Sequence, residues 1–478
     1  MLFSSLSMRG SHQEPDGVLS NLIPYFHHIE QDPFDHETNP HGYINLGLAE
    51  SLLCKQELTS KLTSLQAWSP ALSQYGDPLG ELPFREELCQ FFHDHLHLSD
   101  GIQLQCDRMI ITGGAACGFV VYSYMLTDPN DMILIPSPYY SYIDHNVSVV
   151  TENHVFRCPL IDQNNGLFQL SRQCFEHGYH QCLANGLNPR MILLINPNNP
   201  LGDVYDETTL LPILQFAAEK SLHVVIDEIY ALSTFVNCPF RSILNYQSLL
   251  PDPDRTHFLW SFSKDFSLNG ARVGVMYVGT TDICHLSSKI NFLFVPSRNT
   301  QYLLLQLISD REWTRSYIAL NRQRLTERYR QVKRALEMIE GVKVRQSHAG
   351  FFLWLDLRNM MPDEPTFDDE THLFEQIFNC ARIFVLRGHM LGCTQPGWFR
   401  MVFPINELVI NEALCRMKMV LTNNSSVTKH ECAQEVFEDS PMSSLCHNPD
   451  SDLFEDNSSD SFDSETVCLD ISEKLQAN

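Results

Sequence analysis

Positive charge is scarce in this 478-residue sequence: 33 lysines and arginines stand against 58 aspartates and glutamates, a formal net charge of −25 with histidine neutral. No segment supplies the lysine- and arginine-rich footprint that phosphate contacts require, which argues against a general nucleic-acid binder and disfavours an anionic membrane surface. Long apolar runs are missing too, none approaching the roughly 18 residues that a spanning helix needs. Met1 to Gly17 lack the basic-then-apolar order of a signal peptide, so none is expected. The 15 cysteines form no CxxC pair and no His/Cys ligand spacing. No metal is expected from them, and reduced thiols in a cytoplasmic protein are.

What is present is an ordinary globular mix, 44% hydrophobic and 19% charged, long enough for two or three domains. The acid is unevenly spread. Residues 423–478 hold 13 aspartates and glutamates, 2 lysines and 11 serines, with few aliphatics. A segment of that composition buries too little apolar surface to offset its chain entropy, so an acidic, serine-rich disordered tail is expected, able to meet a basic partner.

From Arg108 to Val278, short apolar runs alternate with helical stretches: Met109 to Thr112, Met132 to Ile135, Met191 to Asn196, His223 to Ile226, Phe258 to Phe262 and Val273 to Val278. Near-continuous apolar strands in β-α alternation predict a buried, mostly parallel sheet covered by helices, with ligands at the strand ends. After Lys289 the pattern changes to a long helix over Thr314 to Met338, strands at Val342 to Gln346, Phe351 to Leu357, Ile383 to Leu386 and Trp398 to Phe403, and a helix near Asn406 to Leu421. The expected division is residues 1–50 as an arm and part of a small domain, 51–290 as a large α/β domain, 291–422 as a smaller α+β domain, and 423–478 as the tail. Residues 1–50 are rich in Pro, His and Asp and carry little period.

The chemistry-bearing residues fall where strands end. Ser261-Phe262-Ser263-Lys264-Asp265-Phe266 closes an apolar strand and precedes Gly270, Arg272 and Gly274. A lysine just past a buried strand can lose part of its charge by desolvation, and a neutral amine can form a Schiff base with an aldehyde. Ser261-x-x-Lys264 also matches the serine acylases of the β-lactamase type, but no Lys-Thr-Gly or Ser-Asp-Asn accompanies it. Its companions are Asp227-Glu228-Ile229-Tyr230, Asn196-Pro197-Asn198-Asn199-Pro200-Leu201-Gly202, Tyr75 before Gly76, Gly113-Gly114-Ala115-Ala116, Tyr139-Tyr140, and Pro396-Gly397-Trp398-Phe399-Arg400. Gly113-Gly114-x-x-x-Gly118 is not the G-x-G-x-x-G of dinucleotide sites. His93, Asp94, His95 and His97 look like a metal cluster, but alternate residues of a helix point about 200° apart and do not converge. Asp144 and His145 are read as structural.

In that order and spacing, the motifs resemble the fold-type-I pyridoxal-phosphate enzymes of the class-I aminotransferase family. Within it, the chain looks most like 1-aminocyclopropane-1-carboxylate synthases and their animal synthase-like relatives, from about Ile23 to Thr422. The resemblance implies a mostly parallel seven-stranded large-domain sheet flanked by helices, with a smaller α+β domain. It implies pyridoxal 5'-phosphate held covalently by Lys264, which then serves as base at Cα. Asp227 would face the pyridine nitrogen, Tyr230 and Asn199 the ring hydroxyl, and Tyr140 the ring face. The phosphate would take the amides of Gly114, Ala115 and Ala116, the Ser261 hydroxyl and the Arg272 guanidinium. Family members usually carry Thr where Ala116 stands, so one hydroxyl contact is absent. Arg400 would bind the substrate carboxylate, and Glu50 would face the substrate, favouring a cationic group such as a sulfonium. Tyr75 matches a tyrosine that crosses a subunit interface, which implies a homodimer with shared sites. Ser267, Asn269 and Ala271 stand where the plant synthases typically have Gly, Pro and Phe, and Ser51 where they have Asn. Three functions stay open: a synthase-like lyase, which includes β- or γ-elimination and deamination, an aminotransferase, and a catalytically quiet interaction protein.

Overall fold

The computed structural model describes residues 18–160 and 166–422. The expected tail, 423–478, and the first part of the expected arm lie outside the described residues. In chain order the elements are α1 (Val18–Gln31), β1 (Ile44–Asn45), α2 (Lys55–Ser64), α3 (Leu82–His95), β2 (Met109–Thr112), α4 (Ala115–Leu126), β3 (Met132–Ser137), α5 (Tyr142–Thr151) and β4 (His154–Pro159). There follow α6 (Arg172–Ala184), β5 (Pro189–Ile195), α7 (Glu207–Glu219), β6 (His223–Asp227), β7 (Thr256–Ser261), the single turn α8 (Phe262–Asp265), β8 (Gly274–Tyr277), α9 (Thr281–Asn291) and α10 (Arg298–Ser309). The last third holds α11 (Arg311–Glu337), β9 (Lys343–Val344), β10 (Phe352–Asp356), α12 (Phe367–Cys380), β11 (Ile383–Phe384), β12 (Leu386–Arg387), β13 (Trp398–Val402) and α13 (Glu407–Thr422). No helix among the described residues is long and apolar enough to cross a membrane.

Seven strands form the main sheet in the order β2-β8-β7-β6-β5-β3-β4, and β8 alone runs against the others. Every residue of β2, β3, β7 and β8 is buried, as a sheet covered on both faces demands. The sequence reveals six of the seven. β4 pairs only with β3 at the edge, and its mixed burial leaves no apolar run to read.

The second sheet, β12-β13-β10-β9, is antiparallel, and a two-stranded parallel ribbon joins β1 to β11. The expected strand over Ile383 to Leu386 is thus divided: its first half pairs with β1 and its second with β13. The expectation of little period before residue 50 is corrected by α1. Tyr25 meets Phe374, Phe378 and Phe384 at ring-centroid distances of 5.0, 4.9 and 5.9 Å, while Leu22 and Ile29 are buried on the same helical face. Pro24 and the neighbouring histidines obscure that spacing in the sequence.

Residues 46–50 run on from β1, tied by Leu46 N–H to Phe384 O and Val402 N–H to Leu46 O, both 2.8 Å. Gly47 lies so close to Phe384 that a Cβ would stand 2.4 Å from its ring. The 27-residue α11 braces three separate segments, its arginines donating to Thr234 O, Leu53 O and Ile405 O.

Candidate active site

In a sheet of parallel strands, the loops leaving the carboxyl ends gather along one edge. Here those loops are Gly113–Ala116 after β2, Pro138–Tyr140 after β3, Asn196–Gly202 after β5, Glu228–Tyr230 after β6 and α8 after β7. Because β8 is antiparallel, the residues entering it, including Arg272, reach the same edge.

Lys264 sits in α8, which Ser261 caps by accepting from Ser263 N–H at 3.1 Å. Phe262 and Phe266 are fully buried, and Asp265 anchors the turn by accepting from Leu232 N–H (3.0 Å), Ser233 Oγ (2.6 Å) and Trp260 Nε1 (2.8 Å). Pinned on both sides, the turn sends Lys264 Nζ to Ala49 O at 2.6 Å and Asn269 Oδ1 at 3.4 Å. Burial pushes its ammonium down to about 8; Arg400 and Arg272 act in the same direction, while Glu50 and Asp227 oppose them.

Asp227, 4% exposed, accepts from Ile229 N–H at 3.1 Å. Burial lifts its carboxyl to about 7, with that hydrogen bond and then Lys264 counteracting. Tyr230 is buried edge-on against Phe351 and Phe352, and burial drives its hydroxyl far up. Tyr140 lies parallel to Tyr142 at 5.3 Å and 13°, and its hydroxyl is raised to about 12 by burial, with Arg400 and Arg272 opposing. Tyr140, Tyr230, Arg400, Arg272, Asp227 and Lys264 therefore share one space.

Arg400, on β13, is 2% exposed. It donates to Asn199 Oδ1 at 3.0 Å and to Gly47 O at 2.5 Å, and its Nε has no partner among the described residues. A buried guanidinium whose bonds go to neutral oxygens has the charge and fork geometry to take a carboxylate.

The first turn of α4 supplies the complementary anion cradle. Gly114 caps it at φ +89°, and a Cβ there would lie 2.7 Å from Arg272 Nη2. Gly274 packs equally close, its Cβ position being 2.6 Å from Gly114 C. Arg272, itself at φ +53°, donates to Asn269 O at 3.0 Å and spans the helix start. Ala115 and Ala116 add backbone amides but no hydroxyl. Ser261 is fully buried, and its Oγ lies 2.9 Å from both Val273 O and Ser263 Oγ, engaged in the turn that carries Lys264.

Glu50 arrives from the opposite side and accepts from Asn269 Nδ2 at 3.1 Å. Tyr75 is 98% exposed and stands apart from these residues. His93, Asp94 and His95 make no metal-holding group among the described residues. His95 packs on Phe91 at 4.8 Å and is held down to about 4, mainly by burial. Asp144 bonds to the Tyr139 hydroxyl and to Arg157 at 3.1 Å.

The family model for class I and II aminotransferases matches residues 44–416. The chain belongs to that family. It is 32% identical over 406 residues to human 1-aminocyclopropane-1-carboxylate synthase-like protein 1, covering 83% of this chain and 80% of the relative. To the 1-aminocyclopropane-1-carboxylate synthase of Glycine max it is 30% identical over 448 residues, 89% of each chain. The aspartate aminotransferase of Rhizobium meliloti superposes with a TM-score of 0.70 at 18% identity, covering 87% of this chain and 98% of that one.

As a class I and II aminotransferase family member, the protein is a pyridoxal-phosphate-dependent enzyme. The donor set fits that cofactor: an amide-and-guanidinium cradle suited to a phosphate monoester, a buried carboxyl with no directly bonded cation among the described residues, and a half-buried lysine with a lowered pKa. Sequence reasoning missed three residues of this family member's site region. Asn269 links Lys264 to Glu50, Asp265 anchors the lysine turn, and Glu370 accepts from His389 N–H (3.1 Å) and Gly397 N–H (2.8 Å), fixing the turn into β13. For Asp265 the signal was adjacency to Lys264; for Glu370 none was available, since its partners lie 19 and 27 residues away.

Proposed function

We propose that the protein acts on a small α-amino acid by removing its α-proton, as a lyase of the 1-aminocyclopropane-1-carboxylate synthase-like type. The observation that carries this reading is Glu50, a carboxylate linked through Asn269 to Lys264 at the site that the buried Arg400 also faces. A carboxylate at that point favours a cationic leaving group at the far end of the substrate.

Arg400 binds the substrate carboxylate with its guanidinium fork and fixes which Cα bond faces Lys264. Lys264 Nζ takes the α-proton; an amine lowered to about 8 is in part unprotonated near pH 7 and so available to accept it. Pyridoxal phosphate, when bound, supplies the electron sink for the pair left at Cα. With it bound, Asp227 would keep a proton on the ring nitrogen, Tyr230, Asn199 and Tyr140 would hold the ring, and Arg272, Ser261 and the amides of Gly114, Ala115 and Ala116 would hold the phosphate. Tyr75 belongs to the same proposal: almost fully exposed in one chain, it serves a neighbouring subunit's site in a homodimer, which a solution mass of one chain in light scattering would contradict.

The deciding experiment gives purified full-length protein, loaded with cofactor, S-adenosylmethionine, vinylglycine or a cysteine conjugate. Release of methylthioadenosine from the first, or of a 2-oxo acid from the others without an acceptor, is expected. If neither forms, the lyase reading fails. Transfer of ¹⁵N from an amino acid to a 2-oxo acid in the same preparation would support the second reading, an aminotransferase, which the same lysine, arginine and aspartate also serve.

A further inference from the structure

Between α8 and β8 the chain makes a tight turn in which Ser267 and Arg272 both adopt φ +53°. Asn269 opens the short 3-10 stretch within it, and three of its polar groups meet site residues. Its Oδ1 lies 3.4 Å from Lys264 Nζ, its Nδ2 donates to Glu50 Oε1 at 3.1 Å, and its main-chain oxygen accepts from Arg272 Nη1 at 3.0 Å. The orientation of the amide is fixed by chemistry: reversed, it would set its NH₂ on an ammonium and its oxygen on a carboxylate. Lys264 and Glu50 form no ion pair within 4 Å of each other, so the carboxamide is their hydrogen-bonded connection. Ala49 O, one residue before Glu50, takes the other Nζ bond, so the 46–50 segment is held to the lysine on two sides.

We propose that Asn269 is a positioning residue whose carboxamide couples the proton on Lys264 Nζ to the placement of the Glu50 carboxylate. A primary amide is suited to this because it offers an acceptor to a cation and a donor to an anion at once, and each bond polarises the other. When Nζ holds a proton, Asn269 Oδ1 accepts from it and Nδ2 draws Glu50 inward. When Nζ gives the proton up, that chain weakens and Glu50 is released toward the substrate side. The other charged groups facing Lys264 are Arg400 from β13, Arg272 from the turn itself and Asp227 from β6. Of these, Arg272 alone bonds to Asn269, and it does so through the main chain, so a side-chain substitution leaves that contact in place.

The inference rests on Lys264 as the catalytic base, but its test does not require the cofactor. In full-length protein without added pyridoxal phosphate, competitive acetylation of Lys264 by acetic anhydride is followed against pH by peptide mass spectrometry. Asn269→Ala and Glu50→Gln are each expected to lower the midpoint by about half a unit, roughly a threefold gain in unprotonated amine below it, and the double variant to add little to either. Asn269→Asp, of nearly the same size, is expected to raise the midpoint by setting a second carboxylate beside the amine. Opposite signs at one position are not the result of a general loss of fold. If Glu50→Gln shifts the midpoint equally with and without Asn269, or if neither substitution shifts it, the coupling is refuted. With cofactor added, the pH of the visible spectral change should follow the same order among the variants. Coupling in the acetylation arm without any visible absorption would support Asn269 and remove the functional reading.

Discussion

Arg400 is a cation taken out of water, and no carboxylate among the described residues pairs with it. Such burial costs several kcal/mol in a finished protein, and bonds to two neutral oxygens offset only part of that. In the proposed function a substrate carboxylate supplies that counter-charge, and its attraction to the buried guanidinium favours binding. Replacing Arg400 by Gln should cost about 3 kcal/mol or more, roughly a hundredfold in kcat/KM for the amino acid, carried mainly by KM. Arg400→Lys should recover only part, since an ammonium cannot make the two parallel bonds. Steady-state kinetics on the preferred amino acid checks both; an unchanged KM in Arg400→Gln would remove the assignment. Lys264, Asp227, Tyr230, Asn199 and Arg400 were readable in the sequence because each sits in a short motif with its own spacing. Asn269 was legible only as a departure from the plant synthases, and its role was not, because that lies in a partner 219 residues away.

Among elements, the turn into β13 decides where Arg400 points. Gly397 adopts φ +89°, a Cβ there would stand 2.5 Å from Arg358 Cγ, and its N–H is held by the buried Glu370 of α12. Burial raises that carboxyl to about 7, against the two backbone donors that favour its charge. Glu370→Ala leaves the buried Gly397 N–H and the partly buried His389 N–H without this partner. It should destabilise the protein by about 2 kcal/mol or more and raise KM for the amino acid through a loosened Arg400. Thermal unfolding and steady-state kinetics measure the two effects, and a variant with unchanged stability and KM would show that the turn holds without it. Legibility at this scale followed burial. The central strands announced themselves as apolar runs, whereas the edge strand β4 did not; α12, capped by the reciprocal Thr366–Asp369 box, lay unread between two strand candidates.

At the scale of the molecule, buried titratable groups set the response to pH. His257 takes Gly279 N–H on Nδ1 at 3.0 Å, which leaves its Nε2 proton for His223 Nδ1, also at 3.0 Å, so both rings are neutral. Burial holds His223 down to about 4 and His257 well below its ordinary value. Unfolded histidines titrate near 6.5. Between there and about 4 the unfolded chain binds more protons than the folded one, so the pair's contribution is intact above 6.5 and is lost as pH falls through that window, by up to about 1.4 kcal/mol per pH unit for each ring. Asp227, Glu228 and Asp265, raised by burial to about 7, 8 and 7, work with the opposite sign. The histidine effect is therefore read as a difference: melting temperature should fall less steeply from pH 6.5 to 4.5 in His223→Gln than in the parent protein, and equal slopes would exclude the pair.

By itself, the sequence determined the family, the alternating α/β order and the types of chemical group at each strand end, because those are written in contiguous residues and short-range periodicity. It also isolated nearly half of the −25 charge in residues 423–478, apart from the motifs. Tertiary structure decided which of those groups meet. The bond from Arg400 to Asn199 joins residues 201 apart, and the Lys264–Asn269–Glu50 connection depends on a chain segment entering from the other side of the sheet edge. Such contacts follow from packing, which sums many distant side chains at once and leaves no local pattern to read.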